Sequence, residues 1–314
     1  MITIPELERK VRDRINRNRT QNQLLGRTGD WNKLCSALDI VGDTEQALDA
    51  YLKQPESATT GVCYLHVYGA LQALQLQQDA VEHICKALRI APKMSPKLPH
   101  IREIRSSAVG HPAMQKENKA VKSSFIVQTS LSQHGFTLTT TYSDGRPYSR
   151  RHIDVRRLAA EQRAVLRDVL TDVVQKLDEA EMRHRAAHRD EKLEAVFPET
   201  LSYGFSKIFE AISGSEHVAF GAAYVERVSE ILADFRQRLE KRGEWGLHEG
   251  VAYHYDLLQY PVAELRAFLS DSATSELNEK DAYIFCSFIR EEMKNLQQIA
   301  REIDEQYAEN PADE

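Results

Sequence analysis

Between Thr60 and Leu88, Val67, Leu71, Leu74, Val81, Cys85 and Leu88 recur at three- and four-residue intervals, with Gln78 filling one slot. Residues spaced in this way share one face of an α-helix, and an apolar face must be buried against something. A helix of this length finds its cover most readily on other helices, so the stretch points to a helical bundle. Thr60 is placed to cap its start, and Pro92, Pro96 and Pro99 are placed to end it, because proline interrupts the backbone hydrogen-bond ladder.

The same period recurs along the chain. Asp30 is a candidate N-cap for a segment carrying Leu34, Leu38, Val41, Leu48 and Leu52. From Asp154 a long helix carrying Leu158, Val165, Val169, Val173 and Leu177 is expected to run to Val196, where Pro198 stops it. Further stripes are Val225, Val228, Leu232, Phe235 and Leu239, and then Ala282, Phe285, Ile289, Met293, Leu296 and Ile303. One region breaks the period. Residues 124–129 and 136–142 are rich in β-branched and aromatic side chains. They predict a β-hairpin turning at Ser132–Gly135, with Gly135 available for a positive φ. Asp144-Gly145 is the next turn, and Arg151–Val155 is a candidate third strand. The expected fold is mainly α: a helical N-terminal domain (1–115), a β-hairpin segment (116–155) and a C-terminal helical region (156–314).

The first residues are charged from Glu6 onward, which argues against a signal peptide, and no run reaches the roughly 18 apolar residues that a membrane helix needs. A cytoplasmic protein without a membrane partner is expected. Cys35, Cys63, Cys85 and Cys286 are scattered, so they read as reduced structural thiols rather than a disulfide frame or a zinc site. The formal net charge is −6, yet nine Lys and Arg stand against two acids between Lys86 and Lys122. Such a zone is either a solvated basic surface or a polyanion site.

There is no glycine-rich phosphate loop, Gly-x-Ser-x-Gly elbow, CxxC or HExxH, which removes the simplest ATPase, hydrolase and zinc-protease readings. No cofactor or metal is called for. His184 and His188 share a helix face at metal-ligand spacing, but the arginines around them would repel a cation, so a solvated helix face is expected. The most pointed segment is Ile101–Pro112. Ile101, Ile104 and Ala108 can anchor one face of a short helix from about His100 to Val109 while Arg102, Arg105 and Ser106 point elsewhere. His111 falls where that helix ends, before Pro112. Arginine offers a permanent charge in a planar fork suited to phosphate oxygens, and histidine exchanges protons near neutral pH. Together they are the minimum for metal-independent RNA cleavage.

Arg105-Ser106-Ser107-Ala108-Val109-Gly110-His111 resembles the R-x(4–6)-H motif of HEPN domains, small helical bundles of prokaryotic toxins, CRISPR effectors and antiviral-defence proteins. The long preceding helix fits that resemblance, which covers roughly residues 30–115. Ser106 stands where the family usually carries a polar residue, often asparagine. The resemblance implies an endoribonuclease acting as a toxin or defence effector, with Arg105 and His111 catalytic and two such motifs meeting in a homodimer. RNA would be drawn to the basic zone, with Lys97, Arg102, Ser106, Lys116 and Lys119 as candidate contacts. The C-terminal region would sense, oligomerise or receive a regulatory partner protein. The alternative is a non-catalytic helical interaction module or a nucleotide sensor.

Overall fold

A computed structural model of the chain describes residues 2–27, 29–55, 59–91, 97–117, 120–214, 218–270 and 275–308. Among these residues the fold is mainly α, with ten helices and one four-stranded antiparallel sheet. The contacts divide it into two compact units, residues 1–179 and 180–314. The boundaries at 115 and 155 drawn from sequence both fall inside the first unit.

The first unit is organised by α3 (Asp30–Lys53) and α4 (Thr60–Ala87), which pack along one another. Leu34, Leu38, Val41, Leu48, Val67, Leu71, Leu74, Val81 and Cys85 are all buried between them and their neighbours, as the spacing requires. Around this pair sit α1 (Ile4–Ile15), α2 (Asn18–Leu25) and α5 (Lys97–Arg105), and the start of α6 (Val155–His188) adds Leu166, Leu170 and Val173 to the same core. α1 opens with a capping box in which Thr3 and Glu6 satisfy each other's backbone N–H groups.

Helix ends differ from the sequence expectation in several places. Asp30 is the first helical residue of α3 and Gly29, at φ 79°, is the cap. Thr60 likewise begins α4, and Thr59 precedes it. α4 stops before the prolines: Arg89 adopts φ 56°, and the N–H groups of Ile90 and Arg89 bond the carbonyls of Cys85 and Lys86. This is a Schellman ending built on a non-glycine residue. Pro92 and Pro96 lie outside the described residues. Pro99 sits within the first turn of α5, where a missing N–H interrupts no hydrogen bond. α6 ends at His188, and only a single 3₁₀ turn, Glu194–Val196, separates it from Pro198.

The expected hairpin is present within a larger meander of order β1-β2-β3-β4, formed by Gln115–Glu117, Ala120–Ile126, Gly135–Tyr142 and Ser149–Asp154. Its register pairs Phe125 with Thr139 and Phe136 with Ile153. Gly145 takes φ 81° in the turn after β3. Gly135 does not take a positive φ. A β-carbon there would lie 2.8 Å from the Ile153 carbonyl oxygen, so glycine is needed for the close approach of β4 rather than for the turn.

A polar chain crosses the buried interior of this unit. Gln77, Gln78 and Gln162 have no exposed surface. Gln162 Nε2 donates to Leu74 O and Gln77 Oε1, Gln77 Nε2 donates to Glu45, and Gln78 Nε2 donates to Gln162 Oε1. Arg163 pairs with Glu45 at one end and Arg102 bonds Gln78 at the other. Fully paired, such a chain ties α3, α4, α5 and α6 into one register, whereas each broken link leaves a buried group unsatisfied.

In the second unit α7 (Leu201–Ile212), α8 (Val218–Arg242), α9 (Glu249–Ser270) and α10 (Glu279–Ala308) each pack on two of the others. The stripes Val225, Val228, Leu232, Phe235, Leu239 and Ala282, Ile289, Met293, Leu296, Ile303 fill the core. Gly221 allows α7 and α8 to touch, since a β-carbon there would meet that of Ala211 at 2.3 Å. Burial pushes the Cys286 thiol up to about 12 and the Cys85 thiol of the first unit up to about 11, which keeps both protonated at neutral pH. Among the described residues, no helix is long and apolar enough to cross a membrane.

Candidate functional site

Ile101, Ile104 and Ala108 are buried, as the amphipathic spacing of α5 requires. Beyond Arg105 the helix widens into one π turn, Ser106–Gly110, closed by a 2.8 Å bond from the His111 N–H to the Ser106 carbonyl. Isolated π turns of this kind frequently accompany functional positions. Gln115, on β1, holds the turn from outside: its Nε2 donates to Ser106 Oγ at 2.7 Å, and its Oε1 accepts from Ser107 Oγ at 3.3 Å. His111 leaves the helix at φ −138°, ψ 56°, with its side chain exposed.

Arg105, the residue before the widened turn, is held from α4. Its Nε and Nη2 donate to Gln72 Oε1 on α4 at 3.0 and 2.7 Å. Nη1 turns the other way and lies over Gly110, where a β-carbon would sit 2.7 Å from it. The guanidinium therefore rests against the residue immediately preceding His111. Glycine there leaves room for the guanidinium, which a β-carbon would displace.

The basic zone is partly neutralised in space. Arg102 donates to Gln78 and Glu82 at 2.7 and 2.8 Å and pairs with Asp79 at 2.9 Å. Lys86 pairs with Glu82 at 3.8 Å. Glu103 draws Lys122, Arg151 and His100 to within 3.1–3.8 Å. Burial alone would raise the Glu103 carboxyl, but the Arg151 hydrogen bond and the positive charges of Arg151 and Lys122 outweigh it and hold the group below the usual carboxylate range. Of the other candidate contacts, Lys116 is exposed on β1, and the backbone of Lys97 starts α5. The Lys97 side chain and the whole of Lys119 lie outside the described residues.

A second polar group lies elsewhere in the first unit, and nothing in the sequence drew attention to it. Cys63, Ser132, Gln133, His134, His152, Asp154 and Arg156 line an open cleft of about 430 Å³. Gln133 Nε2 lies 2.7 Å from His66 Nδ1, and the His134 ring meets Tyr51 edge-on at 5.3 Å. These residues come from α3, α4, the turn before β3, and the junction of β4 with α6. They form no motif at fixed spacing, and the only local signal was the histidine in the Ser132–Gly135 turn.

His184 and His188 belong to the second unit, where they are half-buried rather than solvated. Their rings lie 4.8 Å apart, and His184 Nε2 lies 2.8 Å from the Tyr307 hydroxyl. Burial and the nearby Arg242 guanidinium lower the His188 pKa. Among the described residues, no three His, Cys, Asp or Glu side chains are grouped to hold a metal ion. No protein-family model, curated protein or solved structure matches the chain.

Proposed function

We propose that the first unit is a HEPN-type, metal-independent endoribonuclease, acting as a toxin or antiviral-defence effector, with Arg105 and His111 as its catalytic pair. The observation that carries this reading is the packing of the Arg105 guanidinium over Gly110, beside an exposed His111. A fixed cation and a solvent-accessible imidazole are thereby held at one helix end, among the polar groups of Gln72, Ser106 and Gln115.

In the proposed reaction His111 takes the proton of an RNA 2′-hydroxyl as its oxygen attacks the adjacent phosphorus. The bond from phosphorus to the 5′-oxygen breaks, and that oxygen leaves protonated, the proton coming from an acid such as the paired His111 of a second copy. The products are a 2′,3′-cyclic phosphate and a 5′-hydroxyl. Arg105 stabilises the negative charge that builds on the phosphorane oxygens. A homodimer would supply both histidines, and exposed Lys116 would contact the RNA backbone. Arg102, already bonded to α4, would position α5 rather than touch RNA.

The test is incubation of the purified protein with mixed RNA in excess chelator, with wild type compared to Arg105→Ala and His111→Ala. Cleavage by the wild type alone, with cyclic-phosphate ends, is the expected result. Equal cleavage by all three proteins, or none by any, sinks the reading. A second reading, a non-catalytic interaction or nucleotide-sensing module, is favoured by the two bonds from Arg105 to Gln72, which can serve simply to fasten α5 to α4. A monomer that cleaves no RNA supports that reading.

A further inference from the structure

The helix packing of the second unit encloses a cavity. α7 and α8 touch at Gly221, where a β-carbon would meet that of Ala211 at 2.3 Å. Further along the pair, Phe205 and Ile208 of α7 and Val228 and Ile231 of α8 line a space of about 210 Å³. These four side chains are only 1–3 % exposed, so the floor is apolar and shielded from solvent. One wall is the Tyr224 ring. The missing side chain at Gly204 leaves that ring room against α7, since a β-carbon there would lie 2.5 Å from Tyr224 Cδ1. Phe220 and Tyr203 brace it edge-on, at centroid distances of 5.4 and 6.2 Å.

The lining defines what the cavity can hold. Its charged member, Arg227, is exposed and donates to Glu230 at 2.7 Å, so its charge is already met within α8 and does not recruit an anion. Thr200 and Tyr224 are the uncharged polar members, exposed and half-buried at the rim. None of the lining residues leaves a buried polar side-chain atom without a partner. A water on the floor would therefore lack the two to four polar partners that hold one in place, whereas an apolar cavity of about 150 Å³ stays dry and takes up benzene. The larger space here has room for one or two rings.

We propose that this cavity binds a small uncharged aromatic molecule of one or two rings, packed against Phe205 and Tyr224, with any polar atom it carries turned toward Thr200. Rings favour edge-to-face and offset contacts of the kind these two side chains offer. Every residue of the site belongs to the second unit, and the site does not depend on the ribonuclease reading.

The test titrates the full chain with indole, benzene and benzoate, with calorimetry and thermal shift as the readouts. Indole and benzene should each bind saturably at one site per chain and raise the melting temperature. Benzoate, which would carry a charge into an apolar space, should do neither. Val228→Phe fills the cavity and should weaken both aromatics by about tenfold or more, because close-packed space admits no second ring. Tyr224→Leu changes a half-buried side chain, so it keeps the fold, and it should weaken indole by about three- to tenfold, the worth of one ring contact. It decides the matter if Val228→Phe does not fold. Arg227→Ala should bind indole and benzene as wild type does. The proposal is overturned if neither aromatic binds, if benzoate binds as tightly as benzene, or if Arg227→Ala loses binding. It is equally overturned if Tyr224→Leu, or a folded Val228→Phe, binds indole as tightly as wild type.

Discussion

Gly110 and Gly135 each lack room for a β-carbon, but they are crowded by different things. At Gly110 the obstacle is the end of the Arg105 side chain, 2.7 Å away, whereas at Gly135 it is the backbone carbonyl of Ile153 at 2.8 Å. A guanidinium can swing aside and a sheet carbonyl cannot. The two regions around them differ in the same way. The end of α5 presents one arginine and one histidine on a turn held by side chains, while the cleft is built into the sheet and the start of α6. Changes at the first should be read in activity, and changes at the second in stability.

The largest effect expected is on RNA cleavage. Arg105→Ala and His111→Ala should each lower its rate by about 10²–10⁴-fold, the range typical of a charge stabiliser or a general base, with urea midpoints close to wild type. A quantitative gel of cleavage products measures this, and full activity in either variant would place the chemistry elsewhere. Gly110→Ala is the finer probe. It should displace the guanidinium and slow cleavage by roughly tenfold to a hundredfold, since a misplacement near 1 Å is enough for such losses. Its stability should stay near wild type, because alanine suits a helical turn better than glycine does.

Gly135→Ala reverses the pattern. The added methyl must push β3 from β4, and a loss of about 1–3 kcal/mol is expected in urea unfolding of the first unit. Unchanged stability would mean that the Gly135–Ile153 approach is looser than the geometry states. The smallest effect concerns Glu103. Its folded pKa lies below its unfolded value, so its contribution is present above the unfolded pKa and disappears as the pH falls through the folded one. Between about pH 5 and about pH 3 the wild type should therefore lose slightly more stability than Glu103→Gln. Equal slopes in the two melting series would show that Arg151, Lys122 and His100 do not favour the charged carboxylate.

Local patterns were legible in the sequence. The stripes through Leu34–Leu52, Val67–Leu88 and Val225–Leu239 mark real helix faces, and the β-branched run at 136–142 marks a real strand. Helix ends were less so. The Schellman turn at Arg89 has no glycine to announce it, and the π turn after Arg105 has no composition that separates it from an ordinary last turn. Arg105 and His111 could be singled out because they lie close together in the chain, but the position of the guanidinium depends on Gln72, one helix away.

The basic zone shows where reading along the chain stops. Counted in sequence, Lys86–Lys122 holds nine cations against two acids, yet Asp79 and Glu82 on α4 reach Lys86 and Arg102. Periodicity is a property of neighbours in the chain, so the amino-acid sequence by itself determined α3, α4, α5, α6, α8 and α10 with their buried faces, and the hairpin. The cleft that joins Cys63, Gln133, His134, His152 and Arg156 came only from the tertiary structure. Those residues span about a hundred positions, and only the packing of α3, α4, the sheet and α6 into one core makes neighbours of them.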